Sequence, residues 1–380
     1  MNKLTCRYMS RLDGGLPAAA LGRLFPEPSV TAPFIALLQE SGIAGFDLAS
    51  IVVQQGDIPI LFWPLFETRF DLSSFVEGWL KQLLKTAGRL IPSLFHPKIL
   101  GVGLAEGEWS EIGIDPGIDE NTFNAAFSLA LDALQTLASE HNSDIVAFYN
   151  FNQFSRLPAR LFEQFNRVQF RPCAQVPIDF SSMEEYLGRL SRGARKDMRR
   201  KMRVAPDVRI LHCSSIAPYL DRIWQLYLDT VARSPIVLGV HNRLFFENIC
   251  AQVPGSEFVL YFVQEELVAF NLLIVRQESM VDKYFCMDYA PGSAFNLYVL
   301  SWYENVRTCV ERNIPFYYTG QGTEKTKAHL GASFIPSFIL FRHRLVLLDR
   351  LLVWPQAMTG RILSRLGFWP AVTPPAGHKC

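Results

Sequence analysis

The chain runs to 380 residues and carries 37 Lys and Arg against 36 Asp and Glu, a formal net charge of +1. That balance excludes a nucleic-acid binder built on overall charge, while leaving local patches open. Hydrophobic residues make up 49% of the chain and Phe alone numbers 29, which excludes a disordered chain and suffices for two cores.

The first 32 residues, rich in Gly, Pro and Ala, are expected to form a loosely ordered lead-in, with no apolar run of the secretory kind. A helix is predicted over Pro33–Ser41, then strands Ile51–Gln54 and Ile58–Phe62 joined at Gly56-Asp57, a hairpin turn. Ser74 and Glu77 form a capping box at the start of a helix to Leu90. A long helix follows over Asn121–Ser139, then a strand (Ile145–Tyr149), a short helix (Pro158–Phe165) and a strand (Val168–Phe170). Arg171–Asp179, with Pro172 and Pro177, is expected to be a linker.

Beyond it lies the most basic stretch of the chain. Ser182 and Glu185 make another capping box, and one helix is predicted from Ser182 to Arg203. Leu187, Leu190, Ala194, Met198 and Met202 fall on one stripe that faces the core. Eight Lys and Arg lie between Arg189 and Arg203 against the single Asp197. Arg192, Arg195, Arg199 and Arg203 align as a second stripe, either a solvated face or a surface for an anionic ligand.

Helices over Pro218–Arg233 and Arg243–Val253 lead to strands Glu257–Val263, Leu267–Val275 and Val281–Asp288. A long helix (Asn296–Arg312), a strand (Pro315–Tyr318), a short helix (Glu324–Leu330) and a strand (Ser337–Phe341) complete the series. This order repeats that of residues 51–170, so two similar α/β domains are expected, each a mixed, mostly antiparallel sheet flanked by helices. The seven cysteines make no C-x-x-C pair, so neither a disulfide framework nor a metal site is expected, and a cytoplasmic setting fits.

Ile178-Asp179-Phe180, then Tyr186, Leu190, Arg195 and Arg199-Arg200-Lys201, resembles the basic helix that opens the second half of Fem-type and related double-GNAT acyltransferases. Tyr317-Tyr318-Thr319-Gly320-Gln321-Gly322, with Glu324, Lys327 and Gly331-Ala332, resembles a later segment of the same proteins. The resemblance covers residues 178–342 well and the first half only through its element order. It implies two tandem GNAT-like domains, at 33–177 and 178–344, the second holding the donor in the opening between two splayed central strands. It also implies direct N-acyl transfer, without a covalent enzyme intermediate, from acyl-CoA or a similar donor to an amine on a small molecule, amino sugar or envelope precursor.

Carried over by position, Asp288, Tyr289, Tyr318 and Glu324 are the candidate catalytic residues. Pro291, Gly292, Ser293, Ala294, Phe295 and Asn296 would form the donor's phosphate turn, joined by Gln321 and Lys327. The R/Q-x-x-G-x-G/A loop of ordinary acetyl-CoA enzymes is absent there. Aminoacyl-tRNA is therefore kept as an alternative donor, and a non-catalytic scaffold in envelope polysaccharide assembly as a third reading. Asp288 serves equally as a base or a turn cap, and Glu324 with Lys327 as a site pair or a surface ion pair. The apolar and Arg-bearing segment 345–380 is expected either to strap the two domains together or, through 345–369, to touch the inner face of a membrane.

Overall fold

The computed structural model describes residues 3–11, 16, 18–25, 31–70, 96–234 and 239–349. The expected helix over Ser74–Leu90 and nearly all of the 345–380 segment lie outside them. Among the described residues one 15-stranded sheet runs through the molecule, with strands Val240–His241, Ile43–Ala44, Phe46–Gln55, Ile58–Arg69, Lys98–Val102, Ile145–Asn152, Ser333–His343, Asn166–Pro177, Phe316–Tyr318, Ser279–Met287, Glu266–Val275, Ser256–Val263 and Arg209–Cys213 side by side in that order. Leu4–Met9 pairs with Phe46–Gln55, and Gly113–Ile114 with Ile58–Arg69.

The first half lays down β1 (Leu4–Met9), α1 (Ala18–Leu24), α2 (Thr31–Ser41), β2 (Ile43–Ala44), β3 (Phe46–Gln55), β4 (Ile58–Arg69), β5 (Lys98–Val102) and β6 (Gly113–Ile114). Then come α3 (Glu120–Glu140), β7 (Ile145–Asn152), α4 (Ala159–Gln164) and β8 (Asn166–Pro177). Part of the expected loose lead-in is a strand: Leu4 to Met9 pair antiparallel with Gln55 to Ser50, because the apolar edge of β3 offers a ready partner. Asp119 caps α3 by accepting from Thr122 N at 2.7 Å, and Phe123, Phe127, Leu131 and Leu134, at helical spacing, bury its inner face.

The second half contains α5 (Met183–Arg189), α6 (Arg192–Lys201), β9 (Arg209–Cys213), α7 (Leu220–Arg233), β10 (Val240–His241), α8 (Arg243–Gln252) and strands β11 (Ser256–Val263), β12 (Glu266–Val275) and β13 (Ser279–Met287). It ends with α9 (Tyr289–Ala294), α10 (Leu297–Arg312), β14 (Phe316–Tyr318), α11 (Glu324–His329) and β15 (Ser333–His343). The single helix expected from Ser182 to Arg203 is broken in two. Leu190 takes an extended ψ of 149°, and the Ser191 hydroxyl accepts from Ala194 N to start a new helix. Leu187, Leu190, Ala194 and Met198 nevertheless stay buried, because the break preserves the face they share.

The repeat is visible in the hydrogen bonding. Each half has one parallel strand pair, β5 with β7 and β13 with β14, at matching places in an otherwise antiparallel sheet. A parallel pair needs a long crossover, supplied by α3 in one half and by α9 and α10 in the other. These are the two repeated halves, each a mixed and mostly antiparallel stretch of sheet flanked by helices. Their last strands are exchanged: β15 pairs with β7, and β8 pairs with β14. The expected linker at Arg171–Asp179 is mostly strand, since β8 continues to Pro177. Its Pro172 sits where the β8–β15 register jumps from Ile335↔Cys173 to Ser337↔Phe170, a bulge that also absorbs Pro336. A proline has no N–H to give the ladder, so it fits where the ladder is already interrupted.

Candidate functional site

The second half's parallel pair is short. Ser279, Met280 and Val281 face Phe316, Tyr317 and Tyr318, and beyond Val281 strand β13 continues without β14. The next residue is Asp282, and after it the pairing with β12 jumps from Leu273↔Asp282 to Leu272↔Tyr284, leaving Lys283 as a bulge. The bulge shifts the alternation by one residue. Met280, Asp282 and Phe285 face α10, while Val281, Tyr284 and Cys286 face α7.

On the α10 side three donors converge on the Asp282 carboxyl. Asn271 Nδ2 donates at 2.9 Å, Tyr317 Oη at 3.0 Å and Asn305 Nδ2 at 3.2 Å. Burial nonetheless outweighs these donors and raises the carboxyl to about 6. Tyr261 Oη donates to Asn271 at 2.9 Å and so extends the network. Close by, the turn after β14 runs through Gly320 (φ 65°), Gly322 (φ 82°) and Thr323 (φ 53°), left-handed conformations that turn its carbonyls inward. Lys327, only 5% exposed, donates from Nζ to Thr319 O (2.5 Å), Gly320 O (3.2 Å) and Gln321 O (3.3 Å). Burial lowers its pKa, against the nearby charge of Asp282.

On the other side the loop 103–111 of the first half reaches the second half. Trp109 meets Tyr318 edge-on with ring centroids 4.9 Å apart, and Lys283, 6% exposed, lies 3.9 Å from Glu108. Trp109 and Tyr318 also form one wall of a groove of about 460 Å³, which includes Phe25, Asn152, Phe154 and Ile335. Both halves therefore build this groove. The two arginines at it are already matched, Arg23 with Asp115 at 3.0 Å and Arg156 with Glu120 at 2.8 Å. Phe154 stands 73% exposed.

The residues expected to share one cleft are divided. Tyr318, Gln321 and Lys327 gather at the turn after β14, where Gln321 Nε2 donates to Asn150 Oδ1 at 2.8 Å. Asp288 does not join them. Tyr318 pairs with Val281, seven residues before Asp288, and at about 3.3 Å per residue along the strand the separation is on the order of 20 Å. Asp288 instead caps α9, accepting from Ala290 N at 3.2 Å, and meets Arg222 at 3.3 Å. Tyr289 lies under Arg233, 4.6 Å from its ring centroid. Pro291, Gly292, Ser293 and Ala294 form part of α9 rather than an open turn, and a Cβ at Gly292 would come within 2.6 Å of Met287 Sδ. Phe295 and Asn296 (φ 51°) join α9 to α10.

Glu324 opens α11, but Lys327 turns to the carbonyls rather than to Glu324. Arg192, Arg199 and Arg203 are exposed, whereas Arg195 is half-buried and donates to Leu190 O at 3.4 Å. Asp282, Asn271, Asn305 and Trp109 were not singled out in the sequence. The one pointer to Asp282 was two adjacent charges, Asp282-Lys283, inside an apolar strand.

A family model described as FemAB-like, peptidoglycan biosynthesis/recognition, matches residues 95–346. No curated protein matches the chain. Among solved structures, the C-terminal domain of a putative lysylphosphatidylglycerol synthetase from Agrobacterium fabrum shares 12% identity over 91% of this chain and 96% of that one, with a TM-score of 0.51. L-PGS from Bacillus licheniformis shares 12% over 89% of this chain and 98% of that one, at 0.50. A tandem GNAT protein from the clavulanic acid biosynthesis pathway shares 9% over 90% and 98%, at 0.49.

Proposed function

The chain belongs to the FemAB-like family, and from that premise we propose that it is an acyl- or aminoacyltransferase that joins an activated acyl group to an amine of a peptidoglycan-related precursor. The observation that carries this reading is the strand opening at Val281, beyond which β13 runs on without β14 and the next residue, Asp282, presents a carboxyl that burial raises to about 6. A base for amine attack works best with a pKa near the working pH, and Asp282 meets that condition. The amine nitrogen would form the new C–N bond, the donor's C–O or C–S bond would break, and the amine proton would pass to Asp282. The open groove at Tyr318 favours catalysis over a purely scaffolding role.

Two donors suit the reading. An acyl-CoA remains the first, with its phosphates placed near Asn296 and Gln321. One observation favours aminoacyl-tRNA instead. Arg192, Lys196 and Arg203 are exposed without a carboxylate partner among the described residues, and a row of such cations suits a phosphate backbone. The C-terminal segment is kept as a strap between the two halves or, through 345–369, as a contact with the inner face of a membrane.

The test is transfer by the full chain from CoA thioesters and from charged tRNA to amine-bearing muropeptide precursors. Asp282→Asn should lower kcat by about 10²-fold with little change in KM. Asp288→Asn should leave kcat within about threefold. Transfer from neither donor, or an unaffected Asp282→Asn variant, would overturn the reading or the base respectively.

A further inference from the structure

Loop 103–111 belongs to the first half by sequence, yet its centre is held by the second. Glu106 Oε2 lies 2.6 Å from His241 Nε2 and also accepts from the Tyr284 hydroxyl. His241 Nε2 is 2.8 Å from Tyr284 Oη, so the three side chains close a triangle. The His241 side chain is fully buried and Glu106 is 16% exposed. His241 is fixed from three further directions. Its ring stacks on Phe245 with centroids 3.8 Å apart, its amide donates to Tyr227 Oη at 2.9 Å, and its backbone pairs with Ile43 of the first half. Burial opposes ionisation of Glu106, but His241, Lys283 and the Tyr284 hydroxyl outweigh it and hold the carboxyl at about 2.

The ends of the loop are tied within the first half. Gly103 N donates to Pro64 O at 2.8 Å, and Ser110 N to Asn150 O at 2.8 Å. Asn150, in a left-handed conformation (φ 58°), also donates from Nδ2 to Gly107 O at 3.1 Å. Anchored at both ends by one half and at its centre by the other, the loop has one place for Trp109, against Tyr318 at the groove. An ionised carboxylate in this enclosure is costly unless its partners stay in place, so losing one partner should release the loop rather than merely weaken it.

We propose that Glu106, His241 and Tyr284 form a latch between the halves whose role is to position loop 103–111, and with it Trp109, as a wall of the shared groove. They are positioning residues and do not depend on the reaction assigned above. The experiment uses the full chain and needs no substrate. Hydrogen–deuterium exchange is measured for the wild type, Glu106→Gln and His241→Phe. Acrylamide quenching of Trp109 is isolated by subtracting each protein's counterpart carrying Trp109→Phe.

Exchange in peptides covering 103–111 is expected to rise at least tenfold in the latch variants, and Trp109 quenching to rise with it. Peptides from α3 and α10 should be unchanged. Tyr284→Phe, which removes one of the two hydrogen bonds to Glu106, should fall between wild type and Glu106→Gln. Unchanged exchange at 103–111 in a folded variant overturns the proposal. So does a rise spread evenly over the molecule, or failure of both Glu106→Gln and His241→Phe to fold, since either result would make the triangle a general contact between halves.

Discussion

Three donors converge on the Asp282 carboxyl, and burial still raises it to about 6. The consequence for stability has a fixed sign. A carboxyl raised in the folded state above its usual value favours folding in its protonated form. Its contribution is full below about pH 4 and is lost as pH rises through about 6. Wild type should therefore lose stability relative to Asp282→Asn between these limits, which urea unfolding of both proteins across that range would read. Parallel curves would show that the carboxyl titrates alike in both states. Lys327 makes a second residue-scale case, since its ammonium satisfies three carbonyls that face inward. Lys327→Met keeps the stem but strands those acceptors, at a cost on the order of 2 kcal/mol, measurable by the same unfolding experiment. Neither role is visible in a residue's type alone. Glu324-x-x-Lys327 looks like a helical ion pair in sequence, and the left-handed turn at Gly320–Thr323 redirects the lysine.

At the scale of elements, α5 and α6 show how a local break can leave a buried stripe intact. Ser191 is the cap that restarts the helix, so Ser191→Ala should cost about 1 kcal/mol. The exposed face is a different question. Arg200 and Lys201 share Asp197, at 2.6 and 2.8 Å, whereas Arg192, Lys196 and Arg203 have no such partner among the described residues. If this face binds a polyanion, changing those three to Gln should weaken charged-tRNA binding and reduce its salt slope by up to about 3, with little change in melting temperature. An unaltered slope would leave the face to solvent. Strand β13 makes the complementary point. Its bulge at Lys283 decides that Asp282 faces α10 while Tyr284 faces α7, and a shift of one residue exchanges the two sides.

For the whole molecule, the exchange of β8 and β15 matters most. Each half's parallel pair borders a strand supplied by the other, and His241 and Glu106 add a second crossing. The two halves should therefore unfold together. Residues 1–177 expressed alone would lack β15 between β7 and β8 and expose both edges, so they should fail to give a cooperative thermal transition. A sharp transition from that fragment would show that the halves are thermodynamically separate. Among the described residues no helix is long and apolar enough to cross a membrane. Vesicle binding by the full chain and by a chain ending at residue 344 would test the surface contact proposed for the C-terminal segment.

Local pattern was enough for the order and type of the longer described elements, because hydrophobic period and turn chemistry act within a few residues, whereas β1, α1, β9, α9 and the short strands β2, β6 and β10 went unread. The helical spacing of Phe123 to Leu134 specifies one element without help from the rest of the chain, and the short β-branched and aromatic run Phe258 to Val263, set off by Pro254-Gly255, specifies another. The sequence also displayed the repeat that links the two halves, and the Tyr318–Lys327 segment through its glycines. Tertiary structure decided which of those residues meet. Asp288 and Tyr318 end two neighbouring strands and looked adjacent, but parallel register sets Tyr318 opposite Val281 and leaves Asp282 at the opening. Strand exchange and the Glu106–His241 contact are settled by partners more than a hundred residues away, and the register of β13 on β14 by a partner across two intervening helices. Such contacts form only when two distant surfaces pack, so no local pattern encodes them.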